Sequence, residues 1–499
     1  MATQQLSLDF KAGIATAKPA LFHSHSPLPW IQVAPQAPYF ITDDGKPWLP
    51  IGQNDAITWP DLSGAFRGKN VPEVEIYLAY LVENRINCIR LMLEYCQTDN
   101  RYLERPAGQF QPNMISLWDN LFALCEKYKL RILLTPFDTF WMRKRWKRHP
   151  YNRFNDGPCA SKTQWLVCKK TLELIKGRLA FVTKRWGMSG VIFAWDLWNE
   201  PDLLHANKSS KNITDFITTI SLYLRQLETD LYGRAHLQTV SAFAPHLQKH
   251  QELTDIFFRH PTLDFATLHM YDAQTIDHPK NTVSAALHTG ALVAKALSEI
   301  KDNRPFFDSE HGPIRTFRKR SGNLPEAFDN EYFHHIQWAH LASGGAGGGM
   351  RWPYRHPHRL TNGMRKAQKS LAGFVELVNW LSFQRKNLSL HVKCKTKGLK
   401  VFACGDEDQV IMWLLRKDLL TKAGMLEARP ESIGVRLQLP AISKGLYTIY
   451  FWDTLGGKIL YSCHTEVKPG KAFILSFTMF SADVALLVNP TIPNIAALA

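Results

Sequence analysis

Val191-Ile192-Phe193-Ala194-Trp195-Asp196-Leu197-Trp198-Asn199-Glu200-Pro201 is a nearly unbroken apolar run that ends on an amide, an acid and a proline. β-Branched and aromatic residues in an unalternating series suit a strand buried on both faces, as in a parallel sheet covered by helices. Pro201 lacks the N–H a ladder needs, so the strand is expected to stop at Glu200. That puts a carboxylate where a strand meets its loop, the ligand-binding end of α/β folds. A lone acid there is most often merely solvated, so the reading turns on what surrounds it.

Outward from that run, strand and helix signals alternate. Strand-like segments fall at 48–54, 86–94, 130–138, 191–200, 237–243, 263–271, 305–310 and 349–352, and helical spacing recurs between them, as at 72–84, 163–185 and 282–300. Repeated strand–helix units predict parallel strands with right-handed crossovers, and eight of them favour a closed (β/α)8 TIM barrel over an open sheet. No G-x-G-x-x-G follows the first strand. The run Ser343-Gly344-Gly345-Ala346-Gly347-Gly348-Gly349 lacks the Gly-Lys-Ser/Thr ending of a phosphate loop, so it reads as a tight turn at the eighth strand. Ahead of the barrel, 39–48 reads as a hairpin around Asp44-Gly45 that caps its base. Beyond 385 the pattern changes to short alternating strands, the signature of a separate, small β-sandwich. The expected division is a flexible lead-in at 1–35, a barrel at 36–384 and a sandwich at 385–499; metal binding by His23 and His25 in the lead-in is not expected.

Composition narrows the class. With 45% hydrophobic and 12% aromatic residues the chain has material for a large core, which excludes a disordered protein. Its eight cysteines include no C-x-x-C pair and read as buried hydrophobes, neither zinc ligands nor a disulfide framework. No apolar stretch spans a membrane and no export signal is legible, so a cytoplasmic protein is expected, with secretion by another route as the alternative. The net charge of +16 favours acidic partners. Part of it sits in Arg143-Lys144-Arg145-Trp146-Lys147-Arg148, just past the third strand, which suggests an anionic or acid-decorated ligand. Nucleic-acid binding would rest on charge alone, with no motif behind it, and is not expected.

Chemistry is then sought at the strand ends. Glu200 ends the fourth strand and Glu310 the seventh, where a barrel rim would set them across one cavity. Two carboxyl groups about 5 to 5.5 Å apart suit a retaining glycosidase, one as acid/base and the other as nucleophile. Arg90 is placed to hold the nucleophile ionised. Asn199 is placed to bond a sugar 2-hydroxyl. His269 and Tyr271 share one strand face, and Trp352 offers a flat surface to a sugar ring. No cofactor and no metal are expected.

Trp195-Asp196-Leu197-Trp198-Asn199-Glu200-Pro201 resembles the W-x-L-x-N-E-P signature of clan A glycoside hydrolases, particularly family five, the cellulases and β-mannanases. Ser309-Glu310-His311-Gly312 resembles that family's nucleophile segment, and Arg90, His269-Met270-Tyr271 and Trp352 fall where it has its Arg, His-x-Tyr and Trp. The resemblance covers about residues 38–380. It implies Glu200 as acid/base, Glu310 as nucleophile, and retaining hydrolysis of a β-glucan or β-mannan type poly- or oligosaccharide. Members often have a His near the third strand. Here that place reads Phe137-Asp138-Thr139-Phe140-Trp141, so Asp138 and Trp141 are expected to shape a different subsite. A silent polysaccharide-binding barrel and a transglycosylase using the same residues are the alternatives. Sugar, linkage, endo or exo action and oligomeric state are not specified by these motifs.

Overall fold

The computed structural model describes residues 28–94, 101–205, 209–314, 323–353, 355, 358–468 and 473–491. His23, His25 and Cys96 lie outside the described residues; the seven described cysteines are all free.

The barrel is a parallel sheet of seven strands: β4 (Gly52–Asn54), β5 (Cys88–Met92), β6 (Arg131–Thr135), β7 (Ile192–Asn199), β8 (Leu237–Phe243), β9 (Ala266–Met270) and β10 (Phe306–His311). They pair in chain order. Every residue of β7 is buried, as its continuous apolar run requires. Helices cover the outside, among them Val71–Glu83, Pro112–Tyr128, Lys169–Trp186, Ser210–Tyr232, Thr282–Glu299, Glu326–Ala342 and Asn362–Val375.

The expected eighth strand is absent as a strand. Gly344, Gly347 and Gly349 take φ of +108°, +79° and +81°, a backbone that cannot run extended. Closure instead falls to Met350–Trp352. Met350 N–H donates to Asp308 O (2.9 Å) and His311 N–H to Met350 O (3.1 Å) on one side, while Asn54 N–H donates to Arg351 O (3.0 Å) on the other. Arg351 therefore bridges both edge strands, and its side chain is locked by Asp329.

Two further findings concern the ends of the chain. Residues assigned by composition to the lead-in are built into the fold: Ile31–Val33 (β1) pairs with Phe40–Thr42 (β2), and Trp30 stacks on His236 at 3.6 Å. With Pro47–Trp48 (β3) they form a three-stranded sheet across the base of the barrel. Phe40 packs 5.0 Å from Phe193 and 5.2 Å from Phe265, and Trp48 4.6 Å from Phe193, so aromatic rings plug the end opposite the strand C-termini.

The C-terminal strands form a sheet of six and a sheet of three. The larger contains Lys386–Asn387 (β11), Leu399–Gly405 (β13), Val410–Arg416 (β14), Gly445–Asp453 (β16), Lys458–Val467 (β17) and Asp483–Pro490 (β19). The smaller contains Lys393–Cys394 (β12), Ile433–Leu439 (β15) and Phe473–Met479 (β18). These two sheets make the expected C-terminal β-sandwich, and it packs on the barrel. Val410, Met412 and Leu414 of β14 face the smaller sheet, whereas the alternating Ile411, Trp413 and Leu415 join the barrel's core. β14 is thus buried on both faces.

Trp413 anchors that contact: its indole N–H donates to Asp483 (2.7 Å), which also takes His334 of helix Glu326–Ala342 at 2.9 Å. Trp413→Ala should cost about 3–5 kcal/mol, read as a lowered denaturant midpoint. A change under about 0.5 kcal/mol would show that this contact does not hold the two parts together.

Candidate active site

The two acids that the strand ends deliver both follow a local irregularity. On β7, Trp195 donates to Glu228 (3.0 Å) and Trp198 to Thr139 (2.7 Å), so both indoles turn outward, while Asp196 and Asn199 turn inward to Arg90. A regular strand cannot point residues three apart to the same face. The register with β8 shifts between Asp196 and Asn199, a bulge that resolves the conflict. Glu200 then takes φ +51°, outside the strand, which accordingly ends at Asn199. A left-handed non-glycine residue costs on the order of 1–3 kcal/mol and persists only where its surroundings enforce it. Here Glu200 N–H is held by Ser241 O (3.1 Å). β10 repeats the device, its register with β9 shifting between Asp308 and Glu310.

Arg90 is the centre of the site. Fully buried on β5, its guanidinium donates to Asp196 (2.6 Å), Asn199 (2.8 Å), Asn54 (2.9 Å) and Glu310 Oε2 (2.9 Å). Tyr271 O–H donates to the other oxygen, Glu310 Oε1, at 2.7 Å. Both carboxylate oxygens of Glu310 are therefore held by donors, an arrangement that favours the anion. Glu200 stands differently: its carboxyl meets His269, whose Nδ1 lies 2.7 Å from Oε1.

The electrostatics separate the pair. Burial drives the Glu200 carboxyl well above its ordinary range, and the nearby Asp202 and Asp138 push it the same way. Burial also raises Glu310, but there the Arg90 charge and the Tyr271 hydrogen bond pull against it. Arg90 therefore moderates a rise in Glu310 without reversing it. Burial holds His269 below its ordinary range, so its ring is neutral at neutral pH. Ligand-capable atoms of Glu200, His269 and Glu310 all lie within 4.8 Å of one another. That spacing would also let a cation bind, but the Arg90 guanidinium on Glu310 sets a fixed positive charge there.

The remaining residues divide between contact and support. Asn199 gives its oxygen to Arg90 and one N–H to Asp138 (2.7 Å), leaving one amide hydrogen. Asp138 accepts that bond and caps helix Thr139–Lys144 through Phe140 and Trp141 N–H, so it organises the rim from beneath. Trp141 is half-buried beside Phe140, rings 5.0 Å apart. Trp352 is largely covered, its ring 4.7 Å from Trp59, and Trp59 lies flat on His358. Sequence reading missed Asp196, Asn54, Ser241 and Trp59. Asp196 carried a signal, a single acid inside an apolar strand; it is fully buried and accepts from Ser241 as well as Arg90. Asn54 and Ser241 carried none, since small polar residues at strand ends are common.

No family model matches the chain. Among solved structures, a family-five glycoside hydrolase from Bacteroides vulgatus superposes with a TM-score of 0.59 at 12% identity, covering 92% of this chain and 93% of that one. The chain has the fold of the family-five glycoside hydrolases. A family-five mannosidase from Rhizomucor miehei matches with a TM-score of 0.50 at 16% identity over 71% of this chain and 99% of its own. Among curated proteins, Aspergillus flavus "Probable mannan endo-1,4-beta-mannosidase F" is 28% identical over 160 residues, 31% of this chain. The match spans 33% of that relative's length. The Aspergillus oryzae protein of the same name matches to the same extent.

Proposed function

We propose that this chain is a retaining β-glycoside hydrolase acting on β-mannan type poly- or oligosaccharides. The observation that carries the reading is the Glu200–Glu310 pair, with carboxylate oxygens within 4.8 Å of each other and held in unlike surroundings. That separation is near the spacing of about 5 to 5.5 Å that leaves no room for a water between the second carboxylate and the sugar and so selects a covalent route.

Glu310 attacks the anomeric carbon as Glu200 gives its proton to the departing glycosidic oxygen, which leaves as a hydroxyl. The glycosyl–Glu310 ester is then attacked by water, whose proton Glu200 takes, and C–O cleavage returns Glu310 as the carboxylate. Tyr271 and Arg90 stabilise the charge that reappears on Glu310. The mannosidases among the relatives and structural neighbours support mannose as the sugar. The test is turnover of β-1,4-mannan, glucomannan, β-1,4-glucan and aryl β-mannosides, with the first-formed anomer followed by NMR. Release of the β-anomer from a β-mannoside is expected; first release of the α-anomer, or no turnover of any β-glycoside, would sink the reading.

A further inference from the structure

Helix Thr139–Lys144 starts on Asp138, the residue bonded to Asn199, and runs into the turn Trp146–Arg148. Together they carry five cations in six residues, of which Arg143, Lys144, Lys147 and Arg148 are exposed. Arg143, Lys144 and Lys147 form no ion pair with an acid among the described residues. The Lys144 ammonium lies over the rings of Phe140 (3.9 Å) and Trp141 (5.5 Å), and Phe140 is 40% exposed.

A run of like charge on a surface usually spreads into solvent to relieve its repulsion. This one is pinned. Asn152 donates to Trp146 O (2.8 Å) and Asn155 to Lys147 O (3.1 Å) and His149 O (2.9 Å). Trp146 packs on Trp165 at 5.9 Å, and Trp165 packs on Trp198, the residue before Asn199, at 5.3 Å. The cations are therefore displayed at fixed positions from the strand that supplies Glu200. Holding Arg143, Lys144 and Lys147 together without acids among the described residues is a standing cost that a bound anion offsets.

We infer that this rim segment is a subsite for an anionic group, carboxylate or sulfate, borne by the glycan near the bond to be cleaved, with the Phe140 ring as the sugar-facing surface. The inference rests on the proposed hydrolase reading for its ligand class. A glycan is favoured over nucleic acid because the charge is one short segment tied to the Glu200–Glu310 cleft instead of the extended basic groove a strand needs.

Affinity electrophoresis of the full chain reads binding without turnover. Gels would contain unmodified β-mannan, carboxymethyl-mannan or sulfated mannan, with a single-stranded oligonucleotide titrated separately. The wild type should bind at least one charged mannan tenfold or more tightly than the neutral polymer at low salt, and the two charged forms identify the preferred anion. Arg143→Glu/Lys147→Glu should erase that preference. Lys395→Glu/Lys397→Glu, the same charge change on an exposed loop of the sandwich, should keep it. Where turnover is measured, the KM ratio of charged to neutral mannan should rise tenfold or more in the rim variant alone. Equal loss in both variants, no preference in the wild type, or tighter binding of the oligonucleotide than of either charged mannan would overturn the subsite. Failure to turn over any β-mannoside would remove the hydrolase reading while the gels still decide the subsite.

Discussion

Glu310→Ala is expected to lower kcat on every β-mannoside by on the order of 10^5-fold, because it removes the atom that forms the glycosyl ester. The loss should be independent of leaving group, since bond formation to the enzyme is gone whatever departs. Its fold should survive: the alanine removes a side chain at the rim of the site while Arg90 keeps Asp196, Asn199 and Asn54 as partners. Circular dichroism and the thermal midpoint check that point. Retention of more than about a hundredth of wild-type kcat would show that another group is the nucleophile, or that water attacks directly.

Glu200→Ala should behave differently, and the difference identifies its role. General acid assistance contributes about 10^2- to 10^4-fold, and it matters only when the departing oxygen is basic. A loss near 10^3-fold on mannobiose but under about tenfold on 2,4-dinitrophenyl β-mannoside is therefore expected. The pH profile supplies a second readout. Glu200 is raised well above its ordinary range, so its proton is retained as pH rises past that range and activity falls only when the shifted value is passed. Glu310, raised by burial, must lose its proton to attack, so the acid limb also lies above the ordinary carboxylate range. The wild-type bell should sit high on both sides. In Glu200→Ala the alkaline limb should disappear for activated substrates; its persistence there would assign that limb to a different group.

Much of this site was legible because its chemistry depends on residue type at strand ends. A proline halts β7 within two residues of where the structure ends it, and Glu200, Glu310, Arg90, His269 and Tyr271 are brought into mutual contact. The bulges were not legible. Period-two reading puts Asp196 and Asn199 on opposite faces, and only the pairing with β8 reveals the slip that brings both to Arg90. Nor was the missing eighth strand, because strand signals in Met350–Trp352 compete with left-handed glycines whose conformation depends on their neighbours. Asp138 reads in the sequence as part of a subsite, and its tie between helix and strand lies in hydrogen bonds that residue type does not disclose.

The doubly covered β14 bears on how such a chain can be rearranged. Val410, Met412 and Leu414 belong to one interior and Ile411, Trp413 and Leu415 to another, so a single strand is a shared wall. A recombination event or a protein engineer cutting between Val375 and Lys386 would strip the barrel helices of Phe402, Trp413 and Trp452, leaving an apolar scar that favours aggregation. A stable barrel cut from this chain would therefore have to keep the larger C-terminal sheet or replace the apolar side chains that face it.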